Sequence, residues 1–239
     1  MRNQLTLAVR TPPASRWQSV ELRLLVDGRD ILAEVFDAGP NADPDELLGP
    51  RSPLLPARHS EEVRLAEADC TEGCCGAVYV RIVRDGDEIV WDSWRNPDVV
   101  GVELSAFRFA AEQYEAELAR ADGDRDWEWP GRTVARLVRK AIAGDPGILG
   151  ACNSSLDFIQ SPPGRESEVE LVFTSPPRPT VNEFYEIFER PMEHRQFRLR
   201  IPVTAEPARE QAREIVAALV VEDPREKAEI CGGYGHPIM

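Results

Sequence analysis

Three thiols fall within six residues in the run Cys70-Thr-Glu-Gly-Cys74-Cys75-Gly76, just ahead of an apolar alternating segment. Cysteines this close can hold a soft cation, carry redox chemistry, or pack as small hydrophobes. Zinc takes four ligands in a tetrahedron, often from Cys pairs two to four residues apart. Cys70 and Cys74 have that spacing, and Gly73 permits the tight turn between them. Cys75 is awkward as a ligand, because adjacent side chains on a strand diverge. The remaining ligands would come from Cys231 and His236 in the tail, or from Cys152, since no second Cys pair repeats the spacing. The sequence therefore favours thiols packed as interior filling at a strand entrance, with no cofactor, and a zinc- or thiol-dependent enzyme as the alternative. A thiolate nucleophile needs a base or a cation beside it, whereas Asp69 and Glu72 flank the cluster and oppose deprotonation.

Cys152-Asn-Ser-Ser155 offers a second thiol. A Cys–His pair would have to draw on His59, His194 or His236, the chain's only histidines. No Gly-x-Ser-x-Gly elbow, phosphate-binding loop or dinucleotide fingerprint is present. Arg132, Arg136, Arg139 and Lys140 share the polar side of one expected helix and could grip an anion. The competing expectation pairs them with Asp126 and Glu128. Trp127 and Trp129 beside them could stack on a base or fill the space between layers. The tail Cys231-Gly-Gly-Tyr-Gly-His236 has the di-glycine of ubiquitin-like modifiers, but a helix is expected ahead of it where those modifiers have a strand.

Cys74-Cys75-Gly76 together with Trp127-Glu-Trp-Pro-Gly-Arg-Thr-Val-Ala-Arg136 resembles uncharacterised actinobacterial proteins, in short stretches within residues 70–140. The Arg-rich composition agrees, with Lys140 and Lys227 the only lysines. The resemblance implies no activity and no catalytic residue.

The elements that must position these residues are marked by period and turn chemistry. Val20–Val26, Asp27-Gly28 and Arg29–Val35 read as a hairpin, since Asp-Gly suits a two-residue turn with positive φ at both centres. Pairing outward sets Leu24 opposite Ile31, Leu22 opposite Ala33 and Val20 opposite Val35. Ala77–Arg84, Asp85-Gly86 and Asp87–Trp94 repeat the design, with Ile82 opposite Ile89 and Val80 opposite Trp91. Between the hairpins, Asp37–Ser60 sustains no period and carries five prolines, so it is a cover, a lid or a loose segment. Helices follow from Ala110, Tyr114 and Leu118, from Val134, Val138 and Ile142 after Pro130, and from Ala212, Ile215 and Leu219. Thr180-Val-Asn-Glu183 reads as a capping box opening a helix that buries Val181, Phe184, Tyr185 and Phe188. Strands are expected near Ser155–Ile159, Glu168–Thr174 and Phe197–Val203.

The pattern is α+β, with antiparallel hairpins in the N-terminal half and a mixed α/β module in the C-terminal half. A boundary near Asp122–Asp126 gives domains 1–122 and 130–239, with one continuous domain as the alternative. With 239 residues, 42% hydrophobic, the chain has material for a substantial core. Its net charge of −14 repels phosphate backbones, which disfavours nucleic acid. No apolar run reaches the roughly 20 residues of a membrane span, and the N-terminus reads as a first strand, so a cytoplasmic protein with reduced thiols is expected. Charge and the lack of a catalytic motif together suggest an acidic, protein-binding or regulatory molecule, immunity-like in charge and compactness.

Overall fold

A computed structural model describes residues 2–12, 20–49, 52–56, 62–70, 72–96 and 104–235. The fold is α+β, and the chain divides into two compact units, Met1–Trp127 and Glu128–Met239.

The first unit contains two antiparallel sheets. One comprises β1 (Leu5–Arg10), β2 (Glu21–Val26) and β3 (Arg29–Asp30), with β2 in the middle. The other runs in chain order through β4 (Glu62–Glu67), β5 (Ala77–Asp85), β6 (Glu88–Arg95) and β7 (Phe107–Ala110). Short helices α1 (Pro44–Leu47) and α2 (Glu72–Cys75) lie in connections, and α3 (Ala111–Gly123) packs on β1, β6 and β7. Period-2 alternation places Leu5 and Leu7 opposite Val26 and Leu24, and all four side chains are buried. Both sheets and α3 enclose one apolar cluster. At its centre the Trp91 indole donates to the Tyr114 hydroxyl (3.1 Å), which donates to the Leu54 carbonyl (2.7 Å).

Two hairpin details depart from expectation. Asp27 and Gly28 both take positive φ, as the turn requires. Pairing then stops at Asp30, so the Leu22–Ala33 and Val20–Val35 pairs do not form. The Asp30 carboxylate captures the Ala33 amide (3.2 Å), and the chain coils so that Phe36 N–H bonds the Leu32 carbonyl. A local side-chain bond thus outcompetes the ladder, while β1 pairs with the other side of β2. In the second hairpin only Gly86 has positive φ, the central turn residues become Gly86 and Asp87, and Ile82 pairs with Trp91. The register moves by two residues, which leaves the same side chains on the same face.

The 37–60 segment is a cover where it is described. Leu47, Leu48 and Leu54 are buried in the core, and Asn41 and Ala42 bond both Leu22 and Leu65. Gly39 passes so close to β4 that a Cβ there would sit 2.1 Å from the Glu67 carbonyl oxygen. His59 lies outside the described residues.

The second unit has one antiparallel sheet, formed by β8 (Ser155–Gln160), β9 (Glu168–Ser175), β10 (His194–Pro202) and β11 (Glu229–Tyr234) in the order β11-β10-β9-β8. Its helices are α4 (Pro130–Gly144), α5 (Gly147–Gly150), α6 (Arg178–Phe188) and α7 (Ala208–Val221). Pro130 fits the first helical position, where no N–H is needed. α4 packs on β8, β9 and α7 through Val134, Val138 and Ile142. Bulges interrupt β8 at Asp157, between Leu156 and Phe158, β11 at Cys231, opposite Gln196/Phe197, and β4 at Leu65, between Arg64 and Ala66.

Two expectations fail here. α6 starts at Arg178 behind Pro177, so Thr180 lies inside the first turn and its capping box does not form. Of the expected stripe only Val181 is buried, while Tyr185 and Phe188 are 58% and 53% exposed. The tail is also a strand: residues 229–234 pair with β10.

Candidate functional site

The thiol run forms a closed loop between β4 and β5. Ala68 N–H donates to the Gly76 carbonyl (3.0 Å), and Asp69 N–H to the Ala38 carbonyl (3.1 Å). Residues 72–75 coil into the single turn of α2, ended by Gly76 N–H donating to the Glu72 carbonyl (2.9 Å). The turn is held from β5, where the Tyr79 hydroxyl donates to the Glu72 carboxylate (2.7 Å). That bond raises the Tyr79 pKa, with burial adding to it. Arg95 covers the Tyr79 ring at 4.4 Å and pairs with Glu62 (2.5 Å). A chain of contacts across three strands therefore fixes the orientation of α2.

This coil brings three sulfurs together. The Sγ atoms of Cys70, Cys74 and Cys75 all lie within 4.8 Å of one another, and those of Cys74 and Cys75 are 3.6 Å apart. Among the described residues no other group of three or more ligating side chains converges. Cys75, set aside on the premise of strand geometry, belongs to the cluster, because a helical turn places neighbours about 100° apart and not 180°. The three thiols are exposed, which overturns the reading of them as interior filling. The Cys75 thiol is pushed up to about 12 by hydrogen bonds from Cys70 and Cys74 and by their charge. A third negative sulfur is disfavoured beside two others, and a cation among them reverses that balance.

Of the other expected ligands, Cys231 sits on β11 in the second unit, with its sulfur 3.8 Å from Gln196 Oε1. Burial pushes its pKa up, with Arg198 opposing. His236 lies outside the described residues. The Cys152 thiol donates to the Leu149 carbonyl (3.0 Å), and the His194 ring faces the Met192 carbonyl (2.9 Å).

The expected anion-binding arginines are engaged within their own unit. Arg136 makes a two-pronged pair with Glu128 (2.7 and 2.8 Å), whose side chain is only 1% exposed. Arg139 donates to the Ile159 carbonyl (2.8 Å), and Arg132 lies over the Trp129 ring at 5.8 Å. The Trp129 indole donates to the Ser161 hydroxyl (2.9 Å), and the Trp127 indole to the Asp124 carbonyl (3.0 Å). Both indole N–H groups thus serve local structure.

The chain matches no known family, no curated protein and no solved structure. Its chemistry must be read from its own side chains. Tetrahedral zinc, with Zn–S of about 2.3 Å, separates its sulfurs by roughly 3.8 Å. The 3.6 Å between Cys74 and Cys75 is close to that edge, and the Cys70 sulfur lies within 4.8 Å of both. Asp69 and Glu72 beside the loop, which oppose a bare thiolate, favour an arriving cation. Among the described residues no helix is long and apolar enough to cross a membrane.

Proposed function

We propose that the protein binds zinc, or a cation of similar softness, through the thiolates of Cys70, Cys74 and Cys75. The observation that carries this reading is the approach of three exposed sulfurs on one hydrogen-bonded loop. Three protein ligands leave a fourth position for water or for a donor from another molecule. Open coordination on an exposed turn suits the capture and transfer of a metal ion. Catalysis has less behind it, because Glu72, the carboxylate within α2, is committed to Tyr79. A reducing, cytoplasmic setting fits the reading, since exposed neighbouring thiols persist there as thiols. The expectation of an acidic protein-binding regulator has the net charge of −14 behind it.

The test is elemental analysis of protein purified and reduced under argon, followed by zinc titration against a chromophoric chelator. One zinc per chain, abolished in a Cys70→Ser/Cys74→Ser double variant that keeps its fold, supports the proposal. Protein that neither retains nor takes up zinc, or that oxidises at once to a Cys74–Cys75 disulfide under the same conditions, defeats it.

A further inference from the structure

A groove of about 620 Å³ runs between α4 and α7 in the second unit, a region the thiol chemistry does not touch. Its floor is apolar. Leu137 and Ala141 are one helical turn apart on α4, and Ala212 and Val216 one turn apart on α7. Val220 continues the α7 row by another turn and is 58% exposed. At 1.5 Å per residue this row is about 12 Å long.

The rim is cationic. Lys140 rises from α4, and Arg209 and Arg213 from α7. Among the described residues none of the three forms an ion pair, although most arginines of the chain do; the only bond from this trio is Arg213 Nε to the Arg209 carbonyl (3.3 Å). Glu210 and Glu214 follow them in sequence but lie about 100° further round the helix, away from the floor. In a chain with 42 acidic and 28 basic residues, three unpaired cations around an apolar strip stand out from the prevailing charge.

We infer that this groove docks an amphipathic helix of a partner protein whose apolar stripe is flanked by Asp or Glu. The charge pattern selects that occupant. An apolar stripe on the partner fills the floor, and its acidic flanks meet Lys140 on one side and the Arg209–Arg213 pair on the other. Because Arg209 and Arg213 are one turn apart, acids spaced four residues apart match them. A second copy of this chain is a poorer fit, since two such cationic rims would face each other.

The test uses the full chain and a fluorescent 18-residue helical peptide with leucines at i, i+4, i+7 and i+11 and glutamates on both flanks. A second peptide carries lysine at every glutamate position. The acidic peptide is expected to bind, to weaken as salt rises, and to lose at least tenfold in affinity with Arg209→Glu/Arg213→Glu. Amide shifts on binding should cluster at Leu137, Ala141 and Val216, and a Val216→Asp variant should lose binding while the thiol loop takes up zinc as before. The inference is overturned if neither peptide binds, or if both bind equally. It is also overturned if the only ligand is vesicles of anionic phosphatidylglycerol, or if the groove proves covered by a dimer that Val216→Asp dissociates. None of these outcomes bears on the zinc proposal.

Discussion

Replacing Cys75 with serine separates the two descriptions of the thiol loop most sharply. On strand geometry Cys75 would point away and the change would leave metal binding intact. In the folded loop its sulfur is 3.6 Å from that of Cys74 and completes the set of three. Four-ligand structural zinc sites gain about 10–16 kcal/mol in all, or roughly 3 kcal/mol per ligand. Losing one thiolate of three should therefore weaken zinc by about a hundredfold or more, at 1.4 kcal/mol per factor of ten. Binding also releases protons from thiols, which are mostly protonated near neutrality at a free pKa of about 8.5. Affinity should rise with pH, and Cys75→Ser should lower the slope of log affinity against pH by about one. The assay is competition with a chromophoric chelator between pH 6 and 8, in reduced, oxygen-free buffer. Cys231→Ser serves as the control: its sulfur approaches Gln196 within the second unit, and the three-sulfur assignment expects unchanged affinity. If Cys75→Ser costs less than threefold, or Cys231→Ser costs as much as it does, the three-sulfur assignment is wrong.

Three further outcomes follow from the packing. Tyr114→Phe strands the buried Leu54 carbonyl and Trp91 indole, and should lower the urea stability of the first unit by about 1–3 kcal/mol. Gly39→Ala drives a methyl group into the Glu67 carbonyl; it should loosen the cover and raise amide exchange at Ala68 and Asp69, and unchanged protection there would contradict the geometry. Burial alone would raise the Asp157 pKa, yet hydrogen bonds from Gln196, Thr174 and Arg178 hold it below the usual carboxylate value. A depressed folded pKa adds stability above the unfolded pKa of about 3.9 and loses it as pH falls through the folded value. The second unit should therefore weaken in acid below about pH 4, and Asp157→Asn should flatten that dependence in pH-jump unfolding.

Much of the architecture was legible because its signals were local. Asp27-Gly28 specified its turn, and Val134, Val138 and Ile142 marked the inner face of α4. The failures occurred where a competing local interaction won. Asp30 seized the Ala33 amide and ended a hairpin that hydrophobic alternation had extended. Pro177 set the start of α6, leaving an apparent capping box one turn too late. The thiol cluster was visible as a spacing, but Cys75 was misjudged because whether residues 72–75 coil or extend depends on Tyr79 and on the Ala68–Gly76 bond. Arg136 was seen both as an anion ligand and as a partner for an acid, and only the burial of Glu128 distinguishes the two. Of the α4–α7 groove only Lys140 was legible, as a cation on the polar side of α4. Its floor comes from helices some 70 residues apart, and Arg209 and Arg213 show nothing in sequence to set them apart from the paired arginines.

The bulges in β4, β8 and β11 have a consequence for how these sheets meet other molecules. β4, β8 and β11 are edge strands, and each lies in a ladder that a bulge interrupts. At β8 the bulged residue is Asp157, whose carboxylate turns inward to accept from Thr174 on β9 and Gln196 on β10. A flat row of free amides and carbonyls invites edge-to-edge polymerisation, and an irregular row does not template it. Protection against aggregation is thus built into the backbone itself, at three of the four outermost strands of the two larger sheets.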